Sequence, residues 1–394
     1  MAKYDFDVPC DRTGTNCMKF DCLKENFGAD DLFPLWIADM DFYVCPEIEQ
    51  SLTQRFAHRV YGYTAAADSY WQSIIEWLDH RHGLKTDRSE LTFVPGVVRG
   101  IAYALNFFTK PGDKIVIQPP VYHPFRLVPE GNGRVIVENP LIENKTGEGS
   151  FYTMDLEGLE KIFAEEKPKM MILCNPHNPA GIQWDADTLA AVARLALKYG
   201  VIVISDEIHS DLMLRHTRHV PFLLSCPEAA EVSVTFGAPS KTFNIAGLES
   251  SWMIVRNPRL REPFYKWMEV NEFSRPSFTA WMGAEAAYRH GEEWLDEMMD
   301  YIEENVEAVE KYCAENLPGI KPVRPEASFL VWLDCRGLRL DQEKLVGLFE
   351  CKAHLALNSG TMFGSQGAGF MRLNVGLPRR ELIKALDCLK KALS

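Results

Sequence analysis

The sequence has little of what marks secreted or membrane-spanning chains. Its ten cysteines form no CxxC pair and follow no regular spacing, which favours reduced thiols over a disulfide framework. No apolar run in the sequence approaches the roughly 20 residues that a membrane-spanning helix needs. The first residues, MAKYDFDVPCDR, also lack the apolar segment typical of a secretion signal. We therefore expect a cytoplasmic protein that does not bind membranes.

The chain also lacks an excess of basic residues. Lysine and arginine number 42 against 55 aspartate and glutamate residues, which gives a formal net charge of −13 at pH 7. Non-specific binding of nucleic acid depends on a basic face, so we expect no nucleic-acid partner. An anionic ligand would have to be bound by local donors, because the overall charge of the protein does not attract it.

What the sequence does contain is typical of a large globular enzyme. Its 394 residues are enough for two domains that share a substantial core. Hydrophobic residues make up 46% and charged residues 25%, which are ordinary proportions for such a protein. Neither an internal repeat nor a low-complexity tract is present.

The stretch TFGAPSKTFNIAGL, residues 235–248, is centred on Lys241. The apolar run at 232–236 predicts a buried strand, and Gly237, Ala238 and Pro239 end it. A lysine just beyond a buried strand would have a lowered amine pKa, because desolvation disfavours the charged form. A neutral amine can attack an aldehyde. Alone, this pattern favours a lysine in an ordinary loop, but two further stretches change that interpretation.

Two other predicted strands also end in polar residues. LCNPHNPAG, at 173–181, follows an apolar run and contains Asn178, and VIVISDEIHSD, at 201–211, predicts a buried strand that ends at Asp206. Open α/β sheets bind ligands at the carboxyl ends of their strands. Pyridoxal phosphate needs a carboxylate at its ring nitrogen, an amide at its phenolate and a lysine for its aldehyde. Together with Lys241, these residues therefore predict a pyridoxal-phosphate site.

These motifs resemble those of a known enzyme superfamily. From about Asp5 to its end, the chain resembles the fold-type I pyridoxal-phosphate enzymes of the aspartate aminotransferase superfamily. Within that superfamily it is most similar to the cystathionine β-lyase, or carbon–sulfur lyase, branch. The segments that carry the branch resemblance are PLWIADMDF (34–42), YGYT (61–64), SDEIHSD (205–211) and SKTFNIAGL (240–248).

The resemblance implies an α/β fold with two domains. The expected large domain, residues 47–289, holds a mixed, mostly parallel seven-stranded sheet flanked by helices and binds the cofactor. A smaller α/β domain is expected at 290–394, beginning near a long predicted helix, and residues 1–46 are expected to join it. Chains of this superfamily form homodimers with shared active sites, so a homodimer is expected here as well.

The phosphate of the cofactor is expected at a glycine turn that leads into a helix. Such a turn exposes unpaired backbone N–H groups, and here the candidates are Gly96, Val97 and Val98. Many superfamily members also use a serine and an arginine, but this chain has Ala238 and Glu249 at those positions. We expect Glu249 to point elsewhere. Hydroxyl groups are expected from two further residues, Ser240 and Tyr63, the latter reaching the neighbouring subunit.

The resemblance also assigns the remaining site residues. Tyr122 is expected to stack on the pyridine ring and to assist catalysis, and His209 is expected on the phenolic side of the ring. Arg372, in the segment RLN, should pair with the substrate α-carboxylate through its planar fork. Ala38, beside Ile37, and Asn178 are expected near the substrate. No metal site is expected. The nearby Asp39 and Asp41 are interpreted as turn residues that cap a loop.

The function that these residues predict is β-elimination from a sulfur amino acid such as cystathionine, which yields a thiol, pyruvate and ammonia. Lys241 would act as the general base. His209, Glu249 and the segment 34–42 favour this branch over an aminotransferase, which would use the same catalytic residues. A regulatory protein on the same fold is less favoured, because such proteins usually carry an added DNA-binding domain and the fold begins near residue 5. The preferred thioether stays open.

Overall fold

The computed structural model describes residues 3–146 and 149–394. Its strands are β1 (Phe33–Pro34), β2 (Leu91–Val94), β3 (Lys114–Ile117), β4 (Val135–Glu138), β5 (Ile142–Lys145), β6 (Ser150–Thr153), β7 (Met170–Cys174), β8 (Ile202–Asp206), β9 (Ser233–Gly237), β10 (Ser251–Ile254), β11 (Lys321–Val323), β12 (Leu330–Asp334), β13 (Leu355–Ala356), β14 (Asn358–Ser359) and β15 (Phe370–Asn374).

The helices among the described residues are one to seven turns long. They are α1 (Met18–Asp21), α2 (Leu23–Phe27), α3 (Pro46–Phe56), α4 (Asp68–His82), α5 (Val97–Phe108), α6 (Pro124–Gly131), α7 (Leu156–Glu166), α8 (Ala186–Tyr199), α9 (Phe222–Ser225), α10 (Pro227–Val232), α11 (Pro239–Thr242), α12 (Pro258–Val270), α13 (Phe278–His290), α14 (Glu292–Asn316), α15 (Gln342–Gly347) and α16 (Arg379–Leu393).

A seven-stranded sheet forms the larger part of the fold. Its order is β2-β10-β9-β8-β7-β3-β4, and β10 is antiparallel to both of its neighbours. Every residue of β7 and β9 is buried, as expected for strands of a sheet covered on both faces. The predicted mixed, mostly parallel sheet is therefore confirmed.

The register of this sheet brings three strand ends into line. Cys174, Asp206 and Phe236 are neighbours across β7, β8 and β9. Immediately after β9, the short helix α11 carries Lys241. Gly237 at the end of β9 packs against the Trp252 ring, where a β-carbon would come within 2.2 Å of a ring atom. Only a glycine therefore fits this close to the Trp252 ring.

A smaller sheet has the order β11-β12-β15-β14, and its strand β15 contains Arg372. Near the N-terminus, β1 pairs in parallel with β13, and the carbonyl oxygen of Leu35, directly after β1, accepts a hydrogen bond of 3.1 Å from the backbone N–H of Asn374 in β15. The domain boundaries at residues 46 and 290 stay a prediction. No helix among the described residues is long and apolar enough to span a membrane.

The polar composition of residues 139–149 predicts a loop, but this prediction is wrong, because the structure contains β5 there, paired antiparallel with β6. Gly147 and Glu148 lie outside the described residues. Both Ile142 and Phe151 of this pair are about half exposed. A hairpin with little burial lacks the alternating apolar pattern by which strands are recognised.

Candidate active site

A cavity of about 270 Å³ lies at the carboxyl ends of β7, β8 and β9. It is lined by ten of the residues predicted for the site: Ala38, Gly96, Val97, Val98, Tyr122, Asn178, Asp206, His209, Ser240 and Lys241. Arg372 does not line the cavity but donates a hydrogen bond to Asn178. Tyr63 does not line it either, and its side chain is fully exposed. The structure thus brings most of the predicted residues together, while their roles stay predictions.

Lys241 presents its amine to the N-terminal segment. Its Nζ donates a hydrogen bond of 2.5 Å to the carbonyl oxygen of Ala38. Burial lowers the pKa of this amine to about 8, although the carboxylate of Asp39 opposes the shift. At pH 7 roughly a tenth of the amine is therefore unprotonated and able to attack an aldehyde.

Asp206 is a buried carboxylate with few donors around it. Its Oδ1 accepts a hydrogen bond from the backbone N–H of Ile208 at 3.1 Å, and no other hydrogen-bond donor contacts the carboxylate among the described residues. Burial raises its pKa to about 7. A buried carboxylate is costly unless it is paired, so a cationic N–H donor in the cavity would stabilise it. The protonated ring nitrogen of pyridoxal phosphate is such a donor.

The end of the cavity near Gly96 has the properties of an anion site. The twelve-residue helix α5 starts at Val97, so the first N–H groups of the helix have no partner within it. Ser240 lines this end and donates a hydrogen bond from Oγ to the carbonyl oxygen of Ser250 at 3.2 Å. The buried hydroxyl of Ser251 has no partner among the described residues. A phosphate group fits the N–H groups at the start of α5 and the hydroxyl of Ser251, whereas the hydroxyl hydrogen of Ser240 is already donated to Ser250.

Arg372 is a buried cation surrounded by neutral acceptors. Its guanidinium donates to the side-chain oxygen of Asn178 at 3.1 Å, to that of Asn358 at 2.6 Å and to the carbonyl oxygen of Trp36 at 2.8 Å. No carboxylate pairs with it within the described chain, and its Nε is unpartnered there. Burial lowers its pKa to about 10. A buried guanidinium without a counter-ion is suited to a ligand carboxylate.

Two aromatic side chains complete the cavity. His209 is buried in the cavity wall, and its Nδ1 has no partner in the described part of the chain. Burial lowers its pKa to about 3, so the ring is neutral. The backbone N–H of Tyr122 donates a hydrogen bond of 3.0 Å to the carbonyl oxygen of Asn178, which holds Tyr122 near the carboxyl end of β7. Both side chains could contact a ring bound in the cavity.

The interpretation of Asp39 and Asp41 as capping residues is wrong. Both oxygens of Asp39 accept hydrogen bonds from the guanidinium of Arg12, at 3.0 and 2.7 Å. Asp41 accepts from Lys19 at 2.8 Å and from Arg12 at 2.8 Å. The two carboxylates belong to an ion network. Their partners lie 20 to 29 residues earlier in the chain, so local sequence does not reveal the pairing.

Sequence reasoning also missed parts of the cavity wall. Glu249 was expected to point elsewhere, but it lines the cavity, where its carboxylate lies 2.6 Å from the guanidinium of Arg99. Cys174, Ile208 and Ser251 line the cavity as well. Each of them adjoins a strand that the sequence predicts or a residue already assigned to the site. Proximity to a strand end could therefore have identified them as lining residues.

The comparisons with known proteins agree with this geometry. The model of the family "Aminotransferase class I and II" matches residues 39–389. "Cystathionine beta-lyase PatB" from Bacillus subtilis is 41% identical, over 99% of this chain and 100% of that protein. A pyridoxal-phosphate-bound structure from Clostridium difficile 630, named as a candidate aminotransferase, has a TM-score of 0.94 and 38% identity, covering 99% of this chain and 100% of that one.

A second solved structure gives the same result. Cystalysin from Treponema denticola, which contains pyridoxal 5′-phosphate, matches with a TM-score of 0.94 and 33% identity, over 99% of this chain and 98% of that one. A family match over most of the chain, together with relatives of this identity and coverage, identifies the family. The chain belongs to the class I and II aminotransferase family.

Proposed function

We propose that this protein is a pyridoxal-phosphate-dependent carbon–sulfur β-lyase that converts cystathionine, or a related cysteine S-conjugate, into a thiol, pyruvate and ammonia. The observation that carries the proposal is a set of three groups with spare bonding capacity at one site. These are the amine of Lys241, the carboxylate of Asp206 and the guanidinium of Arg372. They match an aldehyde, a protonated ring nitrogen and a substrate carboxylate. The name of the Bacillus subtilis relative supports the lyase activity.

Each of these residues has a distinct task. When bound, pyridoxal phosphate supplies the electron sink that makes the α-proton of an amino acid acidic. Asp206 would accept a hydrogen bond from the ring nitrogen and keep it protonated. Arg372 would bind the α-carboxylate with its planar fork and so fix which bond of the α-carbon faces Lys241. Lys241 would hold the cofactor through its aldehyde and, with its amine free, would accept the α-proton.

The chemistry of the leaving group separates elimination from transamination. Once Lys241 has removed the α-proton, the electron pair left at the α-carbon can form a double bond to the β-carbon, while a thiolate on the β-carbon leaves with the electrons of the carbon–sulfur bond. The enamine released then reacts with water to give pyruvate and ammonia. Alanine has no such leaving group, so elimination is not open to it. A lyase and an aminotransferase would otherwise use the same residues. Transamination is the alternative activity, because the name of the Clostridium difficile structure mentions an aminotransferase.

The experiment that tests this function measures pyruvate. The purified chain should form pyruvate, ammonia and homocysteine continuously from cystathionine without an added keto acid. Alanine should give at most slow conversion of the cofactor to its amine form. The Lys241→Ala chain, purified in the same way, is the control for contaminating enzymes. If cystathionine, cystine and cysteine all gave no pyruvate, and some amino acid turned over only with a keto acid, the aminotransferase alternative would replace the lyase.

A homodimer with shared sites is part of the proposal. Tyr63 is fully exposed in the single chain, and Val60 and Tyr61 beside it are more than half exposed. An exposed apolar stretch of this kind is suited to burial against a second copy. Mixing inactive Tyr63→Ala and Lys241→Ala chains should restore part of the activity, because each hybrid dimer then has one intact site. If subunits exchange without any recovery, Tyr63 does not act across the interface. The cytoplasmic location stays a prediction.

A further inference from the structure

An ion pair lies at the phosphate end of the cavity. The guanidinium Nη1 of Arg99 lies 2.6 Å from Oε2 of Glu249 and donates a hydrogen bond of 2.9 Å to the carbonyl oxygen of Pro95. Both charged side chains are about half exposed, at 53% and 54%. An exposed ion pair stabilises a fold by at most about 1 kcal/mol. Its position beside the first turn of α5 therefore calls for an explanation other than stability.

The two partners of this pair differ in how they would face an anion. Glu249 stands eight residues after Lys241, where many aminotransferases carry an arginine, and a carboxylate there would repel a phosphate. Arg99 is the third residue of α5, directly beyond the N–H groups of Val97 and Val98. Its Nε and Nη2 have no hydrogen-bond partner among the described residues. Two donors of this guanidinium are thus available to a ligand.

Few cationic side chains line the cavity and could pair with a bound phosphate. The cavity is lined by seventeen residues, and among them only Arg99 and Lys241 carry a side chain that is cationic near neutral pH. Lys241 is engaged with the aldehyde of the cofactor in the resting enzyme. The lining also contains two carboxylates, Asp206 and Glu249. A phosphate bound at the start of α5 would therefore lack a permanent positive partner unless Arg99 supplied it.

We propose that Arg99 is the cationic ligand of the cofactor phosphate, and that Glu249 aims its guanidinium at the start of α5 through their ion pair. The proposal rests on the function proposed above, since it assumes that pyridoxal phosphate is the ligand. Arginine suits this task, because its planar fork can donate to a carboxylate and to a phosphate at the same time. The unpartnered hydroxyl of Ser251 completes the donor set.

The test compares two ligands that differ only in the phosphate. The full chain, freed of cofactor, is titrated with pyridoxal phosphate and with pyridoxal, and bound ligand is measured by absorbance and by equilibrium dialysis. Arg99→Gln should weaken the binding of pyridoxal phosphate by about 10- to 100-fold, the range expected for a charge-assisted hydrogen bond. Pyridoxal binding should stay within about twofold, because pyridoxal has no phosphate. Arg194→Gln, which alters an arginine of similar exposure paired with Glu228, is the matched control and should change neither affinity.

A rescue variant makes the test more specific. The double variant Arg99→Gln, Glu249→Arg should regain most of the lost affinity for pyridoxal phosphate, because the new arginine would face the same group. Equal losses for both ligands in Arg99→Gln, no loss at all, or no rescue by Glu249→Arg would overturn the inference. A wild-type chain that bound neither ligand would instead refute the proposed function, so the two failures are distinguishable.

Discussion

Two parts of the site are built in opposite ways. One is the sheet edge, and the other is the segment 36–40, called the crossing segment because it passes the cavity at Ala38. At the sheet edge, Asp206 ends β8, and Asn178 and Lys241 each follow their own strand by four residues. The crossing segment, residues 36–40, has no regular secondary structure and is fixed by side chains from distant parts of the chain. Local pattern thus places the first part, whereas long-range contacts place the second.

The backbone carbonyls of the crossing segment show how this works. That of Trp36 accepts from Arg372 at 2.8 Å, that of Ala38 accepts from Lys241 at 2.5 Å, and that of Ile37 accepts from Asn374 at 2.6 Å. Backbone acceptors shielded from water need such partners. Because Arg372 and Lys241 are also the proposed ligands of substrate and cofactor, the segment and the chemistry depend on the same two side chains.

The largest expected effect comes from removing the shared lysine. Lys241→Ala should abolish the visible absorbance of bound cofactor and lower turnover by at least about 10³-fold, because both the covalent attachment and the general base are lost. Absorbance spectra and the pyruvate assay measure the two effects. Lys266→Ala, in an exposed lysine of α12, is the control. A Lys241→Ala chain that kept both properties would disprove the assignment.

The shared arginine should affect the substrate and leave the cofactor in place. Arg372→Lys keeps a positive charge but loses the fork, so kcat/KM with cystathionine should fall by about 10²-fold, mainly through KM. Cofactor content, measured by absorbance, should not change. Loss of cofactor, or unaltered kinetics, would mean that Arg372 serves only to hold the crossing segment.

The ion network beneath the crossing segment should matter for stability. The side chain of Lys19 is completely buried, and its Nζ lies 2.8 Å from Asp41 and 3.7 Å from Asp39. Lys19→Met should lower the free energy of unfolding by about 3 kcal/mol, because breaking a buried ion pair leaves a carboxylate undercompensated. Urea unfolding followed by tryptophan fluorescence measures this loss. Lys24→Met, in an exposed lysine of α2, should change it little, and equal effects of both variants would show that the network is not stabilising.

The contrast between the two parts also explains what the sequence could reveal. Asp206 and Lys241 were predictable because a buried strand, a break and a polar residue lie within a few positions of each other. The network of Asp39 was not, because Arg12 lies 27 residues away and no periodic pattern links the two. Arg99 was missed for a different reason. An arginine on a helix is ordinarily a solvent-exposed residue, and its pairing with Glu249 exists only in three dimensions.

The smallest expected effect is a shift in pH dependence that connects the two parts. The carboxylate of Asp39 raises the pKa of Lys241, opposing the burial that lowers it to about 8. Only the neutral amine reacts with an aldehyde, so the rate of cofactor binding by the apoprotein should rise with pH and level off above about pH 8.

Asp39→Asn removes a negative charge that stabilises the ammonium form, so the pKa of Lys241 should fall further. The midpoint of the rate profile should then move to lower pH, and at pH 7 the variant should bind pyridoxal phosphate faster than the wild type does. Stopped-flow absorbance between pH 6 and pH 9.5 measures both profiles. Asp31→Asn, in an exposed carboxylate near His354, is the control and should leave the midpoint unchanged. A midpoint that stayed in place or moved upward in Asp39→Asn would show that the crossing segment does not set the protonation of Lys241, and the two parts of the site would then be electrostatically independent.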